Sequence, residues 1–593
     1  MTLSPPLDVL IVGAGPVGMT AAAELTRQGL SVRTVERRSG PTTDTRAPVL
    51  WPRTQEVYAA MGLLPKFQAI AVTFTDMDVH AYGKPIGHYR YDDSDSPHGT
   101  PLILTQGLIE GVLRDHLREI GRPVEDNIEA GNFTQDDRGV GATLTHADGR
   151  TEEVRAGWLI GADGGRSPVR AAFGLDFPTE PYAGFQIRIA DGHIRWSHPQ
   201  GARGYFFIHE GAYLGFNPLP PLPDGRERGY CYMLTPDTDP SNRALPTEAE
   251  LQGVIRELSG DPGATLSELQ WTNRLRFRHG VAATFRRGRA FLMGDAAKII
   301  IPIGGQGMNT GIQDAYNLAW KLASVHRGVA RTELLDSYDA ERRGVAHVVD
   351  DFTKSIFQLA TRPNPLRTWG LRTIGPLAFR LRAVQQWQAQ QQTELNIHYP
   401  HSPLTRDHGG RGLKAGRRAP DAMLVRLPSR ETVHLFDLYD GRTWNLLLFS
   451  GTRPDPATLS TLNDLSARLN TVADASLRTT VIVQSGGMST PGPAAGLSLA
   501  DSEGEAHRRY GVGGPRLVLV RPDGYVGFRG GPQDAPDLAA YLDGVFRPES
   551  GEWRAALEAF SRRLPERSRA ALVTAASLTL VGVALLAARR TGQ

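Results

Sequence analysis

Three acidic side chains stand where a strand-like run gives way to a turn: Glu36 closing LSVRTVE, Asp163 in GADGGRSPVR and Asp295 in GDAAKIIIPIGGQGMNTG. A carboxylate so placed offers oxygens to the hydroxyls of a bound molecule, and glycines beside it let the backbone come close. Upstream, GAGPVG at residues 13–18 follows the apolar run LDVLIVG and opens a helical stretch. This is GxGxxG in the setting its physics requires. Gly13 makes the turn, Gly15 admits a pyrophosphate and Gly18 lets helix and strand pack closely, while the helix N-terminus supplies free N–H groups. With Glu36 at the end of the second strand to take a ribose hydroxyl pair, the unit reads as an adenine dinucleotide site.

The GxGxxG unit alone does not separate NAD from FAD. The later aspartates do, because an extended cofactor with a polyhydroxylated linker gives Asp163 and Asp295 hydroxyls to bind. A helix beginning near Met308 aims its positive end at a group that becomes anionic on reduction. Those are the requirements of a flavin. Lys298, inside the same stretch, could stabilise reduced flavin or meet a nicotinamide phosphate, but ammonium groups are strongly hydrated and a water-facing lysine is the favoured reading.

Composition narrows the chemistry further. Cys231 is the single cysteine, which excludes an intramolecular disulfide, a CxxC redox pair, an iron–sulfur cluster and a cysteine-rich zinc site. The 16 histidines form no HExxH or clustered pattern, so no metal is expected. Redox chemistry therefore falls to an organic cofactor. A net charge of +3, with arginines scattered among acids, leaves no nucleic-acid footprint. The start, MTLSPPLDVL, lacks a basic segment followed by an apolar run, so a cytoplasmic body is expected.

The elements that must hold these residues follow from periodicity. A chain of 593 residues needs several cores. Residues 1–71, 105–175 and 281–345 read as a Rossmann-like α/β domain. Residues 72–104 and 176–280, rich in β-branched and aromatic residues between Pro/Gly/Asp turns, read as an antiparallel substrate-binding sheet inserted into it. Helical sequence over 346–409 reads as a connector, and 410–548 as a separate α/β domain.

The motifs resemble those of the FAD-dependent aromatic hydroxylases, or class A flavoprotein monooxygenases, especially their phenol-hydroxylase-like and polyketide-hydroxylase-like members. GAGPVG with Glu36, TRAPVLWPRTQEVYAAMGL with Arg46, LTQGLIEGVLRDHL with Gln106, GADGGRSPVR with Asp163 and GDAAKIIIPIGGQGMNTGIQDAYNLAWKLA with Asp295 occur in the family's order. The resemblance implies that Glu36 binds the adenosine ribose, Arg46 and Gln106 line the flavin linker, Asp163 serves the pyrophosphate region and NAD(P)H access, and Asp295 binds the ribityl chain. It places Pro16 and Arg37 beside the first motif, and Pro302, Gly305, Gly307, Met308 and Asn309 around the flavin. It further implies that NADH or NADPH reduces FAD, and that oxygen then reaches an electron-rich ring through a flavin hydroperoxide. Two positions depart from the family: Lys298 replaces a histidine, and Ile301-Pro302 replaces a proline pair, which frees a backbone N–H and relaxes φ. No general base is legible; His209, Tyr213 and Tyr232 are candidates, each read first as a packing or surface residue.

The 410–548 segment resembles the family's thioredoxin-like domain, and without cysteine it keeps only a structural or dimerising role. At the C-terminus, residues 570–588 hold no charge and are flanked by Arg567, Arg569, Arg589 and Arg590. As a helix they would span about 30 Å, the thickness of a bilayer core, and a membrane-anchoring helix is the expectation. The competing readings are a flavin dehydrogenase, a Baeyer–Villiger catalyst, and a non-enzymatic membrane-tethered flavin-binding protein.

Overall fold

The computed structural model describes residues 7–92, 94–222, 224–362, 364–410, 412–472, 476–484, 497–547 and 552–563. The expected helix at 570–588 lies outside them. Among the described residues no helix is long and apolar enough to cross a membrane.

The chain divides into two units, one covering residues 1–327 and 332–399, the other 328–331 and 400 onward. In the first, the strand Leu7–Val12 runs parallel between Val32–Glu36 and Thr151–Gly161, and Ala290–Leu292 continues the sheet beyond Thr151–Gly161. Their apolar runs are buried because a parallel sheet is covered on both faces. Thr151–Gly161 changes character along its length. Its polar first half alternates and pairs antiparallel with Gly139–His146, and its apolar second half enters the core. Helices Pro16–Arg27 and Gln306–His326 pack together over this sheet.

The inserted sheet has seven strands, in the order 265–275, 185–195, 228–236, 212–219, 203–209, 76–81, 84–90. It differs from the expected antiparallel sheet at one seam: Arg203–His209 and Asp76–Ala81 pair in parallel. The hairpin of Asp76–Ala81 and Lys84–Arg90 comes from more than a hundred residues earlier in the chain, so no tight turn dictates its direction at the join.

Helix Asp336–Thr361 runs unbroken across residue 345, and residues 346–399 belong to the first unit. Phe357 and Ala389 join the inserted sheet's hydrophobic cluster, and the Phe379 ring lies where a side chain on Gly87 would be. Apolar positions on these helices are thus buried against the sheet.

In the second unit, Trp444–Phe449 pairs in parallel with Leu477–Val483 across helix Pro456–Val472. The hairpin of Arg516–Val520 and Val526–Gly530 then adds to Trp444–Phe449, and helix Ala535–Val545 follows. A βαβ unit is thereby joined to a ββα unit in one sheet.

Candidate active site

The sheet ends, the inserted sheet and the helices of 352–392 enclose one cavity of about 1540 Å³ within the first unit. That exceeds the usual range for a single small ligand and suits a dinucleotide together with a substrate.

At one end lies the glycine turn. Gly13 has φ +104°, and a Cβ there would sit 2.4 Å from the Ala162 carbonyl oxygen. A Cβ on Gly18 would lie 2.0 Å from the Gly13 oxygen, whereas Gly15 meets nothing within 4 Å and borders the cavity. Gly13 and Gly18 therefore close the strand onto the helix, and Gly15 keeps the space over the N-terminus of helix Pro16–Arg27 open. Pro16 and Arg37 also line the cavity. Glu36 accepts the Ala14 N–H at 2.9 Å and the Arg38 N–H at 3.0 Å. Burial raises the Glu36 pKa, but the bonds from Arg38 and Ala14 outweigh it and hold the carboxyl below its usual range, so it stays an anionic acceptor.

Along the cavity, Gln106 opens helix Gln106–Glu119, capped by Thr105, and donates to Glu110 at 3.0 Å. Arg46 is ion-paired to Asp44 at 2.5 Å with its side chain 60% exposed. Asp163 accepts the Val169 N–H at 3.1 Å through Oδ2, while its buried Oδ1 has no partner. Burial pushes its pKa up against the Ser167 and Val169 bonds. A buried acceptor left alone costs about 1–3 kcal/mol, so a hydroxyl delivered by a ligand is the natural complement. Asp295 stands on the short turn Gly294–Ala296, open to the cavity but enclosed by protein; the enclosure raises its pKa against the pull of Lys298 and Arg46.

The glycine-rich loop ends in two left-handed residues, Gly304 (φ +72°) and Gly305 (φ +67°), and the helix begins at Gln306, two residues before the expected start. Pro302, Gly305, Gly307 and Met308 border the cavity. Asn309 does not. Its Oδ1 accepts the Trp51 N–H at 2.9 Å and its Nδ2 donates to the Val49 and Gly305 carbonyls at 2.8 Å, so the side chain ties the loop to the neighbouring strand. Ile301 is buried in the aromatic cluster with Trp51 and Tyr89.

Lys298 overturns its expectation. The side chain is 1% exposed and its ammonium bonds to Asp314, whose other oxygen accepts from Arg342 at 2.7 Å. Arg342 also donates to the Tyr399 hydroxyl at 3.0 Å and to Thr310. Burial lowers the lysine pKa and Asp314 opposes that. The lysine is held inside because a buried carboxylate of helix Gln306–His326, Asp314, compensates it.

Of the candidate bases, only Tyr232 borders the cavity. Its ring packs where a side chain on Gly215 would be, and burial pushes its pKa well up, which keeps it a neutral donor. The Tyr213 hydroxyl is buried without a partner, and His209 packs toward Tyr82. Residues that local reading missed form the far wall: Tyr89 and Asn217 from the sheet, and Phe379, Gln388 and Gln392 from the helices. None sits in a motif; the helical segment's apolar periodicity marked only that it packs.

An open glycine turn, an anionic Glu36, an orphaned Asp163 oxygen and the carboxylate of Asp295 along one elongated cavity fit a flavin dinucleotide, and the apolar chamber beside them defines a flavoprotein that also holds a ring-like substrate. The family model described as FAD binding domain matches residues 6–353. A 6-methylpretetramide 4-monooxygenase of Streptomyces rimosus is 32% identical, with 96% of this chain and 98% of the relative aligned. An anhydrotetracycline hydroxylase from the same species has a similar structure, with TM-score 0.68, 29% identity and coverage of 92% and 99%. An aklavinone-11 hydroxylase in ternary complex with FAD and aklavinone gives TM-score 0.69, 25% identity and coverage of 94% and 98%.

The chain belongs to the FAD-dependent aromatic hydroxylase family. It is a flavin monooxygenase whose cofactor is FAD and whose co-substrates are NAD(P)H and oxygen.

Proposed function

We propose that the protein hydroxylates an uncharged, polycyclic aromatic substrate of the polyketide type. The observation that carries this reading is the chamber itself, walled by Phe206, Ile208, Ile356, Leu371, Phe379 and Trp387 with a few amide and phenol groups. Its relatives' names, which specify tetracycline-type and aklavinone substrates, point the same way. FAD, when bound, supplies electron transfer from NAD(P)H and oxygen transfer to the ring.

The residues divide that work. In our assignment Glu36 takes the adenosine ribose, Gly13, Gly15, Pro16, Gly18 and Arg37 frame the pyrophosphate turn, and Arg46 and Gln106 flank the linker. Asp163 serves the pyrophosphate region and NAD(P)H access, and Asp295 takes the ribityl hydroxyls. Pro302, Gly305, Gly307 and Met308 shape the ring site, Asn309 braces it, and the N-terminus of helix Gln306–His326 favours negative charge there. In this division the FAD-binding part comprises residues 1–71, 105–175 and 281–345, the substrate part comprises 72–104 and 176–280, and residues 346–409 form a helical connector.

The second unit's βαβ and ββα order supports a thioredoxin-like domain, and the absence of cysteine from it supports a structural or dimerising role. For the tail at 570–588, the uncharged run supports a membrane anchor on a body that draws NAD(P)H from the cytoplasm.

The assay follows NAD(P)H oxidation and product mass with polyphenolic and quinone substrates. Slow oxidation that accelerates with the aromatic compound and yields a product one oxygen heavier is expected. Acceleration that forms only hydrogen peroxide with every such compound defeats the reading.

A further inference from the structure

The charged residues lining the cavity all belong to its dinucleotide half: Glu36 to Arg46, Glu110, Glu129, Asp163 to Arg166 and Asp295. Among the described residues, the lining of the substrate half, drawn from 77–89, 206–232 and 352–392, has no Asp, Glu, Lys, Arg or His. An anion there would be buried without a counter-charge, which is costly. Selection must come from neutral hydrogen-bonding groups.

One of these is held in a set orientation. Gln392 Oε1 accepts the Tyr89 hydroxyl at 3.1 Å and also the Tyr91 hydroxyl. The two phenols touch each other at 3.3 Å. Burial pushes the Tyr89 pKa up to about 12 and raises that of Tyr91 well above its usual value, so both remain O–H donors. With its oxygen engaged by two donors, the amide must turn its NH₂ the other way. That nitrogen has no bond to another described residue, and Gln392 borders the cavity. Its backbone oxygen meanwhile accepts from Gln306 Nε2 at 3.0 Å, and the same nitrogen reaches the Gly304 carbonyl at 3.3 Å. The free amide donors therefore stand at the junction between the glycine loop and the aromatic chamber.

We propose that Gln392 is the substrate anchor: oriented by Tyr89 and Tyr91, its amide N–H groups bind a neutral ring oxygen, phenolic or carbonyl, of an uncharged polycyclic substrate beside the loop of residues 304–306. This rests on the aromatic-substrate reading above and names the group that would orient the ring within it. Tyr91 acts through Gln392 and is a positioning residue, since it does not itself border the cavity.

The test titrates the FAD-loaded protein with quinizarin, which carries phenol and quinone oxygens, with phenanthrene, which carries none, and with anthraquinone sulfonate, following the absorbance of bound FAD. Gln392→Leu should weaken quinizarin binding about tenfold and leave phenanthrene unchanged, the size expected for one hydrogen bond and its unmet partner. Tyr91→Phe, close to isosteric and expected to fold, should weaken quinizarin about threefold, again without affecting phenanthrene. The sulfonate should bind at least about tenfold more weakly than quinizarin. Equal quinizarin affinity in wild type and both variants overturns the anchor while leaving the aromatic-substrate reading in place, and a sulfonate that binds as tightly as quinizarin overturns the neutral-substrate part. A wild-type holoenzyme that responds to neither quinizarin nor phenanthrene overturns the aromatic-substrate reading itself, and the anchor with it.

Discussion

At the scale of single residues, charge inside the protein is placed either toward the cavity or against a partner, and the two cases make opposite demands. Asp295 faces the cavity, enclosed but not hydrogen-bonded to a cation, with its pKa raised by that enclosure. Asp295→Ala should therefore weaken FAD by about tenfold or more, because charged hydrogen bonds to hydroxyls contribute about 1.5–3 kcal/mol each, while the apo form should melt no lower than wild type. Reconstitution titrations of the apoprotein check this; unchanged FAD affinity removes Asp295 from the ribityl chain. Asp314 is the reverse case. It balances two buried cations, Lys298 and Arg342, so the cluster carries one excess positive charge when all three are ionised. Asp314→Asn should cost about 3–5 kcal/mol, since it removes the carboxylate bonded to both cations. Lys298→Met should cost less, because the Asp314–Arg342 pair survives intact. Urea unfolding of the three holoproteins gives the order, and a lysine variant less stable than the asparagine variant would contradict the charge balance described here.

At the scale of elements, the turn Gln392–Glu394 behaves as a brace for the glycine loop rather than as a connection between helices. Gln392 accepts from Gln306, the Thr393 carbonyl accepts from Arg53 at 3.3 Å, and Glu394 accepts from Gln313. Glu394 adopts φ +58°, a left-handed conformation that a non-glycine residue holds only when its surroundings compel it. Burial pushes its pKa from 4.5 to about 8, opposed by Arg342, Lys298 and Gln313. The sign follows: across that window the unfolded chain has released the proton and the folded chain still holds it. Stability linked to this group is whole below about 4.5 and lost as pH rises to about 8, by up to about 1.4 kcal/mol per unit. Glu394→Gln keeps an acceptor for Gln313 and should flatten the decline in urea midpoint between pH 5 and 8 that wild type shows. Parallel profiles for the two proteins would rule the linkage out. This brace also marks where sequence reading stops. The turn at residues 13–18, Glu36, Asp163 and Asp295 were legible because each lies at or just after the end of a strand, where chain-local geometry delivers it to the sheet end. Gln392 was unseen because Tyr89 and Tyr91 reach it from the far end of the chain, and nothing in the local pattern of an amphipathic helix says which distant sheet it will cover; Lys298 was misread because nothing in its own turn says that the helix after the glycine loop brings Asp314 back onto it.

At the scale of the whole molecule, the chemistry of the chamber and that of the C-terminal sequence bear on each other. An uncharged polycyclic substrate partitions into bilayers, and the nineteen uncharged residues from 570 to 588, closed on both sides by arginine, are long enough as a helix to enter one. If the tail is an anchor, it holds the cavity near the phase in which the substrate is concentrated, and its removal should alter access rather than chemistry. A chain ending at residue 566 should leave the membrane fraction, retain FAD and keep its kcat, because every described residue that lines the cavity lies before residue 400. Its apparent KM should rise only when the aromatic substrate is presented in vesicles, with no change when the substrate is dispersed in detergent. The measurement pairs sedimentation with NAD(P)H oxidation in both media. Full-length protein that stays monodisperse without detergent, or a truncated chain with unaltered KM on vesicles, would sever the tail from substrate delivery and leave the cavity's account standing on its own.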